Sequence, residues 1–280
     1  MLKNLCYHTH NFYCDGKNSI EEMVQEAINL NIIHLGISSH APLKVINPWS
    51  LPIEKVLEYA AEIDQIKKKY ANKITIYKSL EIDYIPGKSY SFQYFTDHLN
   101  LDYTIGSIHL VQNKETGKLW FIDGDLEKCH ENLITVFDGN IRLALSSYYN
   151  QIREMINTQK PDIIGHLDKA ILNTSSYFFE EQEDWYIEEV TKTLQTIQEN
   201  ESILEINTRG MYKKKWNTTF PSPTILKMAN KLNIPIIIST DAHHITELMG
   251  NYDNAVDIAK SCGYKTQMSF DRGQWNSIQL

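Results

Sequence analysis

Short apolar runs alternate with amphipathic stretches along this chain, and most of the runs end on a histidine or a carboxylate. Short apolar runs bounded by polar groups read as strands, whereas apolar residues three and four apart read as helices. On that basis strands are expected at residues 2–7, 34–38, 74–80, 103–108, 162–165, 203–206 and 235–239. Helices are expected at 53–70, 126–137, 141–158, 184–199, 223–232 and 254–262. An earlier helix opens on the capping box Ser19-Ile-Glu-Glu22 and runs to about residue 30. Parallel strands need a crossover, usually a helix, so this alternation predicts an α/β chain with about seven βα units. A barrel is the natural closure of that many units. A doubly wound open sheet is the alternative, because strand order is not written in local pattern.

A chain of 280 residues is long enough for two small domains or one large barrel. No repeat, low-complexity tract or linker marks a boundary, so a single domain over 1–280 is expected. The net charge of −8 argues against a nucleic-acid partner, whose binding surface would be basic. It leaves phosphorylated small molecules open, provided that bound cations supply the positive charge. Cys6, Cys14, Cys129 and Cys262 form no C-x-x-C pair and read as reduced thiols. The opening MLKNLCYHTH turns polar before any useful apolar run, and residues 234–238 are too few to span a bilayer. A cytoplasmic location with no membrane partner is expected.

The residues that finish the strands carry the chemistry. His8 and His10 end the first strand, on one face because side chains alternate. His40 follows the second strand in SSHAP, Glu81 the third in KSLEID, and His109 the fourth in IGSIHL. His166 follows the fifth in IIGHLD, and Asp241 and His243 follow the last in ISTDAHH. In a parallel barrel all strand C-termini open on one face, where active sites are built. Taken singly, each residue has an ordinary explanation as a satisfied polar group or a turn cap. Jointly they put six of the ten histidines on one face, with three carboxylates counting Asp15. Imidazole and carboxylate together suit zinc, manganese or iron, and the lack of thiolates argues against a closed structural zinc site. Nine such residues exceed one tetrahedral ion and suffice for two or three.

HTHNFYCDG, SSH, EID, GSIHL, GHLD and STDAHH, in that order, resemble the polymerase-and-histidinol-phosphatase (PHP) superfamily over residues 8–243. The D-x-I-G-H-x-D stretch, and EINT followed by a basic segment, look most like its histidinol-phosphate phosphatases. The resemblance implies a distorted seven-stranded (β/α)7 TIM-like barrel with a trinuclear metal centre at the strand C-termini. It places His8, His10, Glu81 and Asp241 on a first divalent ion. Glu81 would bridge to a second, completed by His109 and His166, and Asp15, His40 and His243 would hold a third. Asp15 is the least constrained of these, since that position varies in type within the superfamily.

A phosphate monoester needs charge neutralisation, an activated water and a proton for its leaving group. The expected reaction is hydrolysis of L-histidinol phosphate in histidine biosynthesis, by in-line attack of a hydroxide bridging two ions. Asp15 or His243 would orient or relay the leaving-group proton, with a metal-bound water as an equal candidate. Arginine occurs only at 142, 153, 209 and 272. Arg209, just past a strand in EINTRG, and Arg153, in a segment long enough to cover the barrel mouth, are expected phosphate contacts. Lys213–Lys215 reads as a solvated basic loop, with steering of an anionic substrate as the alternative. Glu115, Trp120, Asp123 and Tyr148 are open candidates for the amine and imidazole of the substrate. Other phosphoesterase activities of the superfamily are the alternative: phosphodiesterase or exonuclease, or phosphotyrosine phosphatase. A non-catalytic metal-binding domain is the reading from another class.

Overall fold

The computed structural model describes residues 4–280; positions 2 and 3 of the first expected strand lie outside them. In chain order the elements begin β1 (Asn4–Cys6), α1 (Ile20–Asn29), β2 (Ile32–Ile37), α2 (Val56–Tyr70), β3 (Thr75–Lys78) and β4 (Glu81–Asp83). There follow α3 (Phe92–Leu99), β5 (Ile105–Ser107), β6 (Leu110–Gln112), β7 (Leu119–Phe121), α4 (Leu126–Phe137), α5 (Ile141–Gln159) and β8 (Ile163–Ile164). The chain continues through α6 (Asp184–Glu199), β9 (Ile203–Asn207), the single turn α7 (Arg209–Tyr212), α8 (Pro223–Lys231), β10 (Ile236–Ser239) and α9 (Tyr252–Ser261). It closes on β11 (Thr266–Asp271) and β12 (Gln274–Gln279).

The main strands pair in parallel, as one sheet of order β1-β2-β3 and another of order β10-β9-β8-β5-β4. Backbone bridges join the two sheets at two places, one between the edge strands β1 and β10 and one between the end of the central strand β2 and β4. Thr9 pairs with Ala242 beyond β1 and β10, and His40 pairs with Glu81 beyond β2. His10 N donates to Ala242 O at 2.8 Å, and Ala41 N to Glu81 O at 2.8 Å. One seam is therefore stitched by residues adjoining the strand-end histidines and Asp241, and the other by His40 and Glu81 themselves.

Period-two alternation sorts the strand residues into two cores. Leu5 and Tyr7, Tyr77, Ile105, Ile163, Ile203 and Ile237 share the smaller cluster with Phe270 of β11. Cys6, Leu35, Ile76, Ile82, Ile164, Leu204 and Ile238 face the larger cluster, which includes the buried faces of the helices. In α1 the capping box is formed: the Ser19 hydroxyl accepts from Glu22 N, and the Glu22 carboxylate accepts from Ser19 N. That satisfies two otherwise unpaired donors of the first turn, and Met23, Val24 and Ala27 then fall on the buried side.

Three features depart from the sequence pattern. The expected strand 74–80 is β3, which pairs with β2, and the EID stretch expected only to follow it forms a further strand, β4, that crosses to the other sheet and pairs with β5. The helix α3 and the antiparallel hairpin β6–β7 occupy a stretch where only the strand at 103–108 was expected. The antiparallel hairpin β11–β12 follows the last expected helix and caps the smaller core. There the Trp275 ring lies 5.6 Å from both Tyr7 and Tyr103. Among the described residues no helix is long and apolar enough to cross a membrane.

Candidate metal centre

The strand-end residues converge as the sequence spacing requires. Glu81, buried at the start of β4, sits at the middle of the group. Its Oε1 is 2.9 Å from His166 Nε2 and 3.9 Å from His109 Nε2. Its Oε2 is 2.9 Å from His40 Nδ1, 3.3 Å from His8 Nε2 and 3.5 Å from His10 Nε2. Asp241 Oδ1 closes on the same side, 3.2 Å from His10 Nε2 and 3.8 Å from His8 Nε2. Across from it, Asp15 Oδ1 lies 3.3 Å from His243 Nε2 and 3.7 Å from His40 Nε2. Donor atoms of His8, His10 and Glu81 lie within 4.8 Å of one another, as do those of Glu81, His109 and His166, and those of His10, Asp15, His40 and His243.

The donor set fits divalent cations on its own chemistry. His8 Nε2, His10 Nε2, Asp15 Oδ1, Glu81 Oε2 and His166 Nδ1 are buried atoms with no hydrogen-bond partner. Burying so many polar atoms unsatisfied is costly, and bound cations would satisfy all of them but His166 Nδ1, since that ring turns Nε2 toward Glu81. Burial, with His243 and His40 alongside, holds His10 well below the usual histidine range. Burial likewise lowers His166, with Lys169 adding to it, and lowers His243. Those three imidazoles are neutral near pH 7, the form that coordinates a metal. Burial opposes ionisation of Glu81, but His8, His40 and His109 outweigh it and hold the carboxyl well below its usual range. Burial also works against a charged His8, yet Glu205, Glu81 and Asp241 raise it well above.

A cavity of about 360 Å³ opens over this group. Asp15, His40, His109, Asp241 and His243 form its floor, with Arg209 and Lys169 beside them. The Arg209 guanidinium donates to Asp241 O at 2.8 Å and lies 3.6 Å from Glu247. Lys213 and Lys215 also border the cavity, so this basic loop is not purely a solvated one. Arg153 departs from expectation. It lies on α5, where its guanidinium donates to Glu189 Oε2 at 2.7 Å and to Thr193 Oγ1 at 2.7 Å. The helix faces α6, not the cavity, so this arginine serves the packing of two helices.

Of the candidates for the rest of a substrate, Asp123 alone lines the cavity. Trp120 and Tyr148 are buried in the core, and Glu115 sits in the turn after β6, its amide bonded to Asn113. The sequence pattern missed several neighbours. Lys169 Nζ is 2.8 Å from Asp123 and 4.0 Å from Asp241, and Trp49 stacks on Phe121 at 4.9 Å along the cavity wall. Asp83 accepts from His109 at both its backbone N (2.8 Å) and Nδ1 (3.0 Å). Glu205 accepts from His8 Nδ1 at 2.6 Å. Asp83 had a signal, since alternation in EID puts it on the face of Glu81; Glu205 in EIN had the same.

Three comparisons bear on this geometry. A Bacillus subtilis protein, histidinol-phosphatase, is 26% identical over 88% of this chain and 96% of its own length. A solved structure from Listeria monocytogenes superposes with a TM-score of 0.77 at 25% identity, covering 89% of this chain and 99% of that one. A histidinol phosphate phosphatase from Lactococcus lactis, solved with zinc, L-histidinol and phosphate, gives a TM-score of 0.72 at 21% identity, covering 99% and 100%. The PHP domain model matches residues 7–209, which takes in His8 through Arg209 and so most of the strand-end constellation. This chain is a member of the PHP domain family.

Proposed function

We propose that this chain is a metal-dependent phosphomonoesterase acting on L-histidinol phosphate, releasing L-histidinol and phosphate. The observation that carries the reading is the convergence of nine nitrogen- and oxygen-bearing side chains under one cavity with basic residues on its wall. The Bacillus subtilis relative, matched along nearly its whole length, supports the substrate. The two bridged sheets are read as a single barrel domain over the whole chain, distorted where β3 gives way to β4.

In this reading the side chains hold three divalent ions, zinc, manganese or iron. His8, His10, Glu81 and Asp241 would take the first, Glu81, His109 and His166 the second, and Asp15, His40 and His243 the third. Zinc in the structurally similar Lactococcus protein agrees with the choice of metals. Bound ions would neutralise the phosphoryl oxygens and lower the pKa of a coordinated water. Arg209 and Lys169, flanking Asp241, would hold the phosphate dianion against that floor. Asp15 and His243, 3.3 Å apart at the cavity edge, would orient the leaving oxygen and the proton it receives.

The test is a substrate panel on metal-replete protein: L-histidinol phosphate, p-nitrophenyl phosphate, a bis-ester and a dinucleotide. Preference for histidinol phosphate is expected. No turnover of any would defeat the catalytic reading, and a wide preference for the diesters would defeat the substrate. A second expectation concerns Arg209→Ala. Loss of a charge-assisted contact worth about 1.5–3 kcal/mol should raise KM about tenfold or more and slow turnover, with metal content retained. Unchanged kinetics would remove Arg209 from the phosphate site.

A further inference from the structure

Glu205 lies in the middle of β9, wholly buried, paired in register with Ile237 of β10. It is not among the converging donor groups, yet three donors meet on its two oxygens. His8 Nδ1 donates to Oε1 at 2.6 Å, and His166 N and Asn207 Nδ2 donate to Oε2 at 2.8 and 3.0 Å. Asn207 Nδ2 also reaches Asp241 Oδ2 at 3.2 Å. One carboxylate thus touches residues just past the ends of β1 and β8 and at the end of β9 itself, and through Asn207 it is linked to Asp241 after β10.

Each contact has a consequence for the metal-capable atoms. A proton on His8 Nδ1, held by Glu205, leaves the lone pair on Nε2, the atom that points to Glu81 and Asp241. The contact to His166 is to its peptide N–H, and His166 has φ of +22°, a region that residues with a Cβ rarely adopt. The hydrogen bond holds that strained backbone so that Nε2 lies 2.9 Å from Glu81. By contrast Asp83 touches His109 through both its backbone N and Nδ1, and so acts on one ligand residue.

We propose that Glu205 is a positioning residue that couples two of the metal sites, setting His8 for one ion and His166 for the next. The inference rests on the three-ion reading above. It requires a carboxylate and not an amide, because donors approach both oxygens. A glutamine would have to turn its NH2 group either toward His8 or toward the His166 and Asn207 donors.

The experiment is metal content against a graded series of chelator-buffered zinc concentrations, for wild type, Glu205→Gln, Glu205→Asp and Asp83→Asn, with the fold of each metal-free protein followed by circular dichroism. Glu205→Gln should weaken two ions together, by about 10–100-fold each, and leave the third at wild-type affinity. Asp83→Asn should weaken one ion only. Glu205→Asp keeps the charge but is too short to span its donors, so it should lose the same two ions and serves if the glutamine variant does not fold. Wild-type affinities in a Glu205 variant with lowered apo stability would reduce Glu205 to a structural role. Loss of one ion alone would overturn the coupling. Wild-type protein that takes up no zinc would instead defeat the metal-centre reading itself.

Discussion

Glu81→Gln should strip the protein of metal and lower kcat/KM for the phosphomonoester by about 10³-fold or more, since metal ions supply several kcal/mol of transition-state stabilisation. Among the described residues no other side chain stands within reach of so many donors: both oxygens of Glu81 are shared among His8, His10, His40, His109 and His166. Glutamine keeps the shape but removes the negative charge that would balance two bound cations, and presents an NH2 group where a second acceptor stood. The buried imidazoles would then face a donor that none of them can satisfy as a metal does. Metal analysis of the purified variant checks this directly. Full wild-type metal content in Glu81→Gln would contradict the bridging role, whatever happened to the rate.

Removal of the ions from the wild-type protein should have the second-largest effect. Exhaustive chelation is expected to abolish turnover and to lower Tm, and addition of zinc or manganese to restore both. Any ion that binds the native state alone stabilises it by about 2.7 kcal/mol when free metal stands at 100 times Kd. For a chain of this size that amounts to about 5–10 °C in Tm for each such ion. The buried nitrogen and oxygen atoms that find no hydrogen-bond partner give the physical reason, because bound cations would satisfy several of them at once. Calorimetry of chelated and reloaded protein measures the shift. Full activity surviving chelation would remove metal from the reaction.

The prominence of Glu81 and the histidines was legible before any coordinates, and so was the parallel α/β organisation. Both follow from local rules. Strands of a βα repeat point one way, so residues placed just after them gather at one end regardless of strand order. The capping box at Ser19 and the buried faces of α5 and α6 are equally local, and their bounds fall within a residue or so of the pattern. Elements of three residues, such as β6 and β7, were not legible, since too few positions exist to show a period. The hairpin β11–β12 was missed because its pairing partner for packing, Tyr7, lies more than two hundred residues away.

Charge partners were the other blind spot. Arg153 and Arg209 look alike in sequence, each a scarce arginine near a strand end or a covering helix. Glu189, one turn before Thr193 on α6, takes the guanidinium of Arg153 out of contention. Arg209 stays on the cavity wall because α7 begins directly after β9. Lys169 and Asp123 are also joined only in space, from a turn after β8 and the segment after β7.

By itself, then, the sequence determined which residue types stand at the strand ends and that these ends share one face, because chain direction and side-chain alternation are properties of each strand alone. Only the tertiary structure decided which of those residues touch, that Glu205 and Asp83 stand behind His8 and His109, and that one arginine lines the cavity while another joins a helix pair. Those outcomes depend on which strands lie side by side and how deeply each group is buried, and no local pattern carries that information.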